Sequence, residues 1–205
     1  HKGLSSDGLS LLGTLGSVLP ALKELTLIEP AAGPDGVPRL AEKLGAGALP
    51  AVTFLNLYMT HVGDAGASAL AAALGRGALP RLKVLDLCNA AIGDAGLVAL
   101  APALRRLPAL ERLYLGGNPL GDEGLAALVA PPPPAGAPPP TTGGLAKLKV
   151  LDLSRTQITD AGCATLAAAL DSGALPALER LYLDRIPASA AAKAAVYKAR
   201  ANLMH

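Results

Sequence analysis

Short bursts of alternating apolar and polar residues recur along this chain, each followed by apolar residues spaced three and four apart. One burst is Leu85-Asp86-Leu87; after it come Leu97, Leu100 and Leu104. Alternation with period two predicts a strand whose leucines point into a core while the residue between them faces outward. Spacings of three and four predict one face of a helix. The burst returns as Leu25-Thr26-Leu27, Leu55-Asn56-Leu57, Leu113-Tyr114-Leu115, Leu151-Asp152-Leu153 and Leu181-Tyr182-Leu183, at steps of 30, 30, 28, 38 and 30 residues. A second helical face reads Cys163, Leu166, Leu170. Self-similarity at a fixed period predicts stacked units, each covering its neighbour's core.

Between burst and helix stands Gly-Asp-Ala-Gly, at 63–66 and 93–96, with variants at 121–124 and 159–162. An aspartate there is expected to cap the helix that follows it, accepting from backbone N–H groups without an intrahelical partner. The next glycine is expected to leave room where the turn packs on its neighbour. Glycines at Leu44-Gly45 and Leu74-Gly75 are read as helix stops. Leu-Pro pairs at 49–50, 79–80, 107–108 and 175–176 mark the return to the next strand, with the residue before each proline expected to be extended. Pro102 lies inside the helix predicted after 93–96 and is expected to shorten or kink it.

The consensus LxxLxLxxN/T-x-I/L-x-D-x-G-xxx-L-xxx-L resembles leucine-rich repeats of the ribonuclease-inhibitor-like class. Two phrases also alternate: residues 82–87 and 148–153 read LKVLDL, residues 110–115 and 178–183 read LERLYL. Alternating repeat types occur in ribonuclease inhibitors, whose paired cysteines are missing here. The resemblance implies an α/β leucine-rich-repeat solenoid, a horseshoe arc of about six repeats with parallel strands on the concave face and helices on the convex face.

A single domain over 1–205 follows, with a partial repeat or N-terminal edge at 1–18, repeats over 19–187, and a C-terminal helix region at 188–205. The long step contains a proline-rich insertion loop at 131–144, whose decapeptide 131–140 accounts for the excess over 28 residues. Such a block favours polyproline II in solvent; a docking role for it is set against a neutral insertion, since no basic residue flanks the prolines. Leu4, Gly8 and Leu12 align with Ile92, Gly96 and Leu100 at an offset of 88. The chain therefore reads as opening inside a repeat, as a fragment, with an uncapped N-terminal edge expected to promote self-association. Ser189 is a candidate N-cap for an alanine-rich helix whose narrow stripe is Val196, Ala199 and Leu203.

Hydrophobic residues make up 51% of the 205 and aromatics only 2%, so the core must be built from Leu, Ala, Val and Ile. A net charge of +2 without basic runs gives no electrostatic footprint for nucleic acid. No apolar run reaches the roughly 20 residues a membrane span needs. Cys88 falls on an outward strand position and Cys163 on an inward helix position two repeats later; no disulfide framework is expected, which points to an intracellular, cytoplasmic setting.

Stacking brings the outward strand residues into three columns. The central one reads Thr26, Asn56, Asp86, Tyr114, Asp152, Tyr182; the one before it Glu24, Phe54, Val84, Arg112, Val150, Arg180; the one after it Ile28, Tyr58, Cys88, Gly116, Ser154, Asp184. Four of the five aromatics fall in these columns, Tyr197 being the exception. Aromatics and arginines carry a disproportionate share of interface energy. The candidate partner-binding set is therefore Glu24, Thr26, Phe54, Asn56, Tyr58, Asp86, Arg112, Tyr114, Asp152, Arg180, Tyr182 and Asp184, for a protein partner. A competing account pairs Arg112 and Arg180 with Asp86 and Asp152 on adjacent strands.

No catalytic residue, cofactor or metal site is expected. His1, His61 and His205 are isolated, and no nucleophile motif or phosphate-binding glycine loop occurs. Asp64, Asp94, Asp122 and Asp160 recur once per repeat, as helix caps do. The alternative function is that of Ran GTPase-activating proteins, which are built from similar repeats. It would rest on Asn118, at the asparagine site after the fourth strand, and Arg112 beside it, although no acidic tail like that family's occurs. Asparagine at this place is also the ordinary structural residue of the repeat.

Overall fold

The computed structural model describes residues 21–27, 36–44, 48–130, 145–201 and 203–204. The readings made for 1–18, for Ile28, for Gly45 and for the proline-rich segment lie outside them. Each leucine burst forms a three-residue strand: β1 (Glu24–Thr26), β2 (Phe54–Asn56), β3 (Val84–Asp86), β4 (Arg112–Tyr114), β5 (Val150–Asp152) and β6 (Arg180–Tyr182). They form one sheet in sequence order, every neighbouring pair parallel, with the central leucines in register from Leu25 to Leu181. The ladder outruns the strands at both ends, as in Leu87 N–H to Tyr114 O at 2.9 Å and Lys83 N–H to Thr53 O at 2.8 Å.

Helices return the chain from each strand to the next: α1 (Gly36–Lys43), α2 (Gly63–Gly75), α3 (Asp94–Leu104), α4 (Asp122–Val129), α5 (Asp160–Asp171) and α6 (Ala190–Ala199). Consecutive helices pack on one another behind the sheet. The spacing of three and four is realised as predicted: α3 buries Leu97, Leu100 and Leu104, and α5 buries Cys163, Leu166 and Leu170. Strand and helix leucines meet in one continuous core from Leu25 to Leu203. Each fully buried leucine in it contributes about 1.5–3 kcal/mol. The solenoid is thus an α/β stack whose sheet lines one side and whose helices line the other.

The repeated aspartates do not act as expected. Asp94, Asp122 and Asp160 are the first residues of their own helices, a position from which a side chain does not cap. Instead each reaches to the next repeat. Asp64 Oδ1 accepts from the N–H groups of Gly93 (2.7 Å) and Gly96 (3.0 Å). Asp94 Oδ1 accepts from Gly121 (2.7 Å) and Gly124 (2.8 Å). Asp122 takes the N–H and hydroxyl of Thr159, and Asp160 those of Ser189. The caps on a helix's own N–H groups come from Thr159, to Ala161, and Ser189, to Ala192. The glycine expected to leave room does so: a Cβ on Gly96 would lie 2.5 Å from Asp64 Oδ1, and one on Gly162 2.2 Å from Asp122 Oδ1.

Three of the four Leu-Pro turns also differ from expectation. Leu49, Leu79 and Leu175 have φ of 51°, 54° and 51°, on the left-handed side rather than extended. Their carbonyls accept from Val52, Leu82 and Leu178, closing a turn with proline as its second residue. Burial of each leucine to 2% exposure or less offsets that strain. Gly75 is the last residue of α2 rather than its stop; the left-handed glycine is Gly77, at φ 87°. The α3 helix runs past Pro102 to Leu104 and, at 11 residues, is two shorter than the 13-residue α2. Arginines satisfy carbonyls at helix ends: Arg76 donates to Ala41 and Leu44, Arg105 to Ala127.

Candidate functional site

The outward side chains of β1–β6 form the first two columns in strict register, and the ladder carries the third on just beyond the strands, from Tyr58 to Asp184. Asn56 lies beside Asp86, Asp86 beside Tyr114, Tyr114 beside Asp152, and Asp152 beside Tyr182. Glu24, Thr26, Arg112 and Arg180 are exposed; Phe54, Asn56, Asp86, Tyr114, Asp152 and Tyr182 are partly covered by their neighbours. Tyr58 and Asp184, one turn beyond, are exposed at the same end of the sheet. All twelve candidate residues thus share one face. Val150 is the departure in the first column: it is buried, between Arg112 and Arg180 in register. Ile28 lies outside the described residues.

The polar residues of the central column turn onto their own backbone. Asn56 Oδ1 accepts from Tyr58 N–H at 2.8 Å, Asp86 Oδ1 from Cys88 N–H at 3.0 Å, and Asp152 Oδ1 from Ser154 N–H at 2.9 Å. This local use explains why the competing account fails. Among the described residues the ion pairs at this end join Lys83 and Lys149 to Glu111, and neither Arg112 nor Arg180 pairs with an aspartate.

Two glycines set the relief. Gly116 is buried, and a Cβ there would lie 3.0 Å from Asp152 Oδ2; the open depression around it is lined by Tyr58, Cys88, Gly117, Ser154, Arg155 and Arg185 among others. Gly117 has φ 72°, and a Cβ on it would meet Asn89 Oδ1 at 2.1 Å. Cys88 Sγ stands 4.0 Å from Asp152 Oδ2. Burial first, then the carboxylates of Asp86 and Asp152, push its thiol up to about 12, so it is neutral and a poor nucleophile near neutral pH. Burial likewise raises Tyr114, against a smaller opposing effect of Arg112.

Asn118 is 1% exposed and fully engaged. Its Oδ1 accepts from Ala90 and Ile92 N–H at 3.0 Å each, and its Nδ2 donates to the carbonyls of Leu87 (2.7 Å) and Leu115 (2.8 Å). It staples two turns and presents nothing to a partner. Thr60 and Thr156 take the same place in other repeats, donating to Leu57 O (2.6 Å) and Leu153 O (2.7 Å). The described residues hold no group of three or more His, Cys, Asp or Glu placed to bind a metal ion. Nor, among them, is any helix long and apolar enough to cross a membrane.

Sequence reasoning missed Arg155 and Arg185, which project from the turns after β5 and β6 at φ 56° and 55°. Neither continues a strand column, and only the turn geometry brings them to the depression.

Comparison with known proteins gives a consistent fold. A family model for Leucine Rich repeat matches residues 50–71, 79–101, 107–129 and 144–167. It does not distinguish the ribonuclease-inhibitor-like class from others. No curated protein matches the chain by sequence. Among solved structures, leiomodin-1 actin-binding site 2 is similar over 93% of this chain and 86% of that one, at 14% identity and a TM-score of 0.50. A chain of the yeast Rad7–Elc1 complex matches over 98% of this chain and 43% of that one, at 17% identity and a TM-score of 0.60. The tropomodulin C-terminal domain from Caenorhabditis elegans matches over 96% and 92%, at 16% identity and a TM-score of 0.51. Identities this low establish a shared fold alone. With four matched repeats, six in-register strands and a helix behind each, the chain belongs to the leucine-rich-repeat proteins.

Proposed function

We propose that the chain, a single leucine-rich-repeat domain over 1–205, is a non-catalytic interaction module that binds a protein partner through the concave face of β1–β6. The contact set is Glu24, Thr26, Phe54, Asn56, Tyr58, Asp86, Arg112, Tyr114, Asp152, Arg180, Tyr182 and Asp184. One observation carries this reading: in a chain with five aromatic residues, four stand on this one outward face. Outside a core, aromatic rings add stability poorly and add interface energy well. The similar solved structures agree at a coarse level, since leiomodin-1 is named for binding actin and the second is a complex of Rad7 and Elc1. A cytoplasmic setting belongs to the same proposal and is supported by two free thiols, Cys88 and Cys163.

The test replaces Arg112, Tyr114, Arg180 and Tyr182 together with alanine. These side chains point away from the leucine core, so far-UV circular dichroism should not change, while proximity labelling and pull-down should lose the partners captured by the unaltered chain. Capture of the same partners by both chains would move the site to the flanks or the helical side.

A further inference from the structure

We propose that the half of the sheet face from β4 to β6 docks an acidic, carboxylate-bearing segment of a partner protein. This rests on the sheet face being the binding surface and names the chemistry of what it takes. Four guanidinium groups bracket that half: Arg112 and Arg180 open β4 and β6, while Arg155 and Arg185 project from the turns beyond β5 and β6. All four are exposed, and none is ion-paired among the described residues. Two carboxylates share the half-face, and Asp152 already spends one oxygen on Ser154 N–H. The excess is therefore cationic and unsatisfied.

The arrangement suits carboxylates on a peptide. A guanidinium takes a carboxylate through two parallel N–H bonds, with geometric specificity that a single charge lacks. Tyr114 and Tyr182 lie between the two arginine rows, and the depression at Gly116 gives room for an apolar side chain between the charges. A nucleic acid is the other common polyanion. A continuous phosphate backbone crossing this half-face would meet Asp152 and Asp184, whereas a peptide places its charges singly.

The turns bring the second pair of arginines to this face. In the β4 repeat the turn position is Gly117, at φ 72°; in the next two repeats the equivalent residues, aligned through Gly117 N–H to Ser154 O and Arg155 N–H to Asp184 O, are Arg155 and Arg185. Glycine adopts this backbone freely and arginine does not. Met59 and Asn89 stand at the same turn in the two repeats before the β4 repeat, at φ 56° and 52°, so the left-handed backbone belongs to the repeat and what Arg155 and Arg185 add is a guanidinium at the rim.

The experiment measures fluorescence anisotropy of short synthetic peptides, one set rich in Glu around Tyr and Leu and one with Lys for Glu, plus a labelled oligouridylate. Each is titrated with the full chain and with three variants: Arg155→Gly/Arg185→Gly, Arg112→Gln/Arg180→Gln, and Tyr114→Ala/Tyr182→Ala. The Glu-rich set should bind in a salt-sensitive way, and both arginine variants should weaken it by about tenfold or more. The Arg155→Gly/Arg185→Gly chain should melt no lower than the unaltered one, because glycine relieves the turns, so its loss of binding cannot be misfolding. Preference for the Lys-rich set or the oligouridylate, binding indifferent to both arginine pairs, or no peptide binding at all would each overturn the proposal. Lys-rich binding that the tyrosine variant abolishes would overturn it while leaving the sheet face as the site; peptide binding indifferent to the tyrosines as well would remove both.

Discussion

Asp94 Oδ1 accepts the backbone N–H of Gly124 at 2.8 Å, across 30 residues of sequence, and that of Gly121 at 2.7 Å. One carboxylate oxygen thereby ties the start of α3 to the start of α4. Asp64 does the same between α2 and α3. Because each repeat of a solenoid is held mainly by its neighbours, these ties set how cooperatively the array unfolds.

Replacing Asp94 with alanine should cost about 2–3 kcal/mol, from two charge-assisted bonds and the donors left behind. Gly124→Ala should cost a similar amount, because its Cβ would stand 2.8 Å from Asp94 Oδ1 and 3.2 Å from Leu97 Cβ and Cδ2. The two changes break one contact, so the double variant should lose clearly less than the sum. Urea denaturation of the four chains checks this; strict additivity would show that the glycine and the aspartate act separately.

Asn118→Ala should be among the most damaging single changes in the chain. It removes four hydrogen bonds from a fully buried site and leaves the N–H groups of Ala90 and Ile92 and the carbonyls of Leu87 and Leu115 without that partner. Buried groups left unsatisfied cost about 1–3 kcal/mol each, so a loss of roughly 3 kcal/mol or more is expected. Thermal and urea unfolding would measure it. A small loss would mean that water replaces the amide.

The leucine columns were legible because strand and helix periods are local and recur six times, from Leu25 to Leu181. The outward columns followed from the same alternation. What escaped were contacts one repeat away. Nothing near Asp94 in sequence says that its partners are Gly121 and Gly124, since a helix-start aspartate looks the same whichever helix it serves. The left-handed Leu49, Leu79 and Leu175 contradict what a following proline favours, and only their burial in the stack explains them. Arg112 and Asp86 looked like an ion pair because their strands are neighbours, but Asp86 turns to Cys88 N–H instead.

Stability should fall at alkaline pH through Cys88. Burial and the two flanking aspartates raise its thiol from an ordinary 9.0 to about 12. The folded chain therefore keeps a proton that the unfolded chain releases. Its contribution is full below pH 9 and is lost as pH rises from 9 through 12. Tyr114 and Tyr197 are raised in the same direction, so the informative measurement is the difference between the original chain and Cys88→Ala. Urea midpoints of the two should converge from pH 8 to pH 11 if Cys88 supplies part of the slope. At pH 8, Ellman's reagent should modify Cys88 far more slowly in the folded chain than in urea. Parallel midpoints across the range would show that the thiol ionises freely in the fold.

The edge of β6 is covered by the chain's own final turn. Met204 N–H donates to Glu179 O at 2.9 Å and Leu181 N–H donates to Met204 O at 3.0 Å, a parallel bridge in the position a further strand would take. Leu203 is buried beneath it, Tyr197 donates its hydroxyl to Leu181 O at 3.0 Å, and Arg200 holds the carbonyls of Ala174 and Leu175. Cutting the chain after Ala199 removes the bridge, the leucine and the arginine together. We expect a loss of about 2–4 kcal/mol by urea denaturation from those bonds and that burial. The freed N–H and C=O groups of β6 form a template for pairing with another chain. Sedimentation velocity should therefore show concentration-dependent association of the truncated chain, with amide exchange at Leu181 rising sharply. Met204→Pro separates the two effects: it deletes the donor to Glu179 but leaves Leu203 and Arg200 in place. That variant should loosen the bridge with a smaller loss of stability. A truncated chain that stays monomeric and keeps Leu181 protected would show that β6 needs no cover.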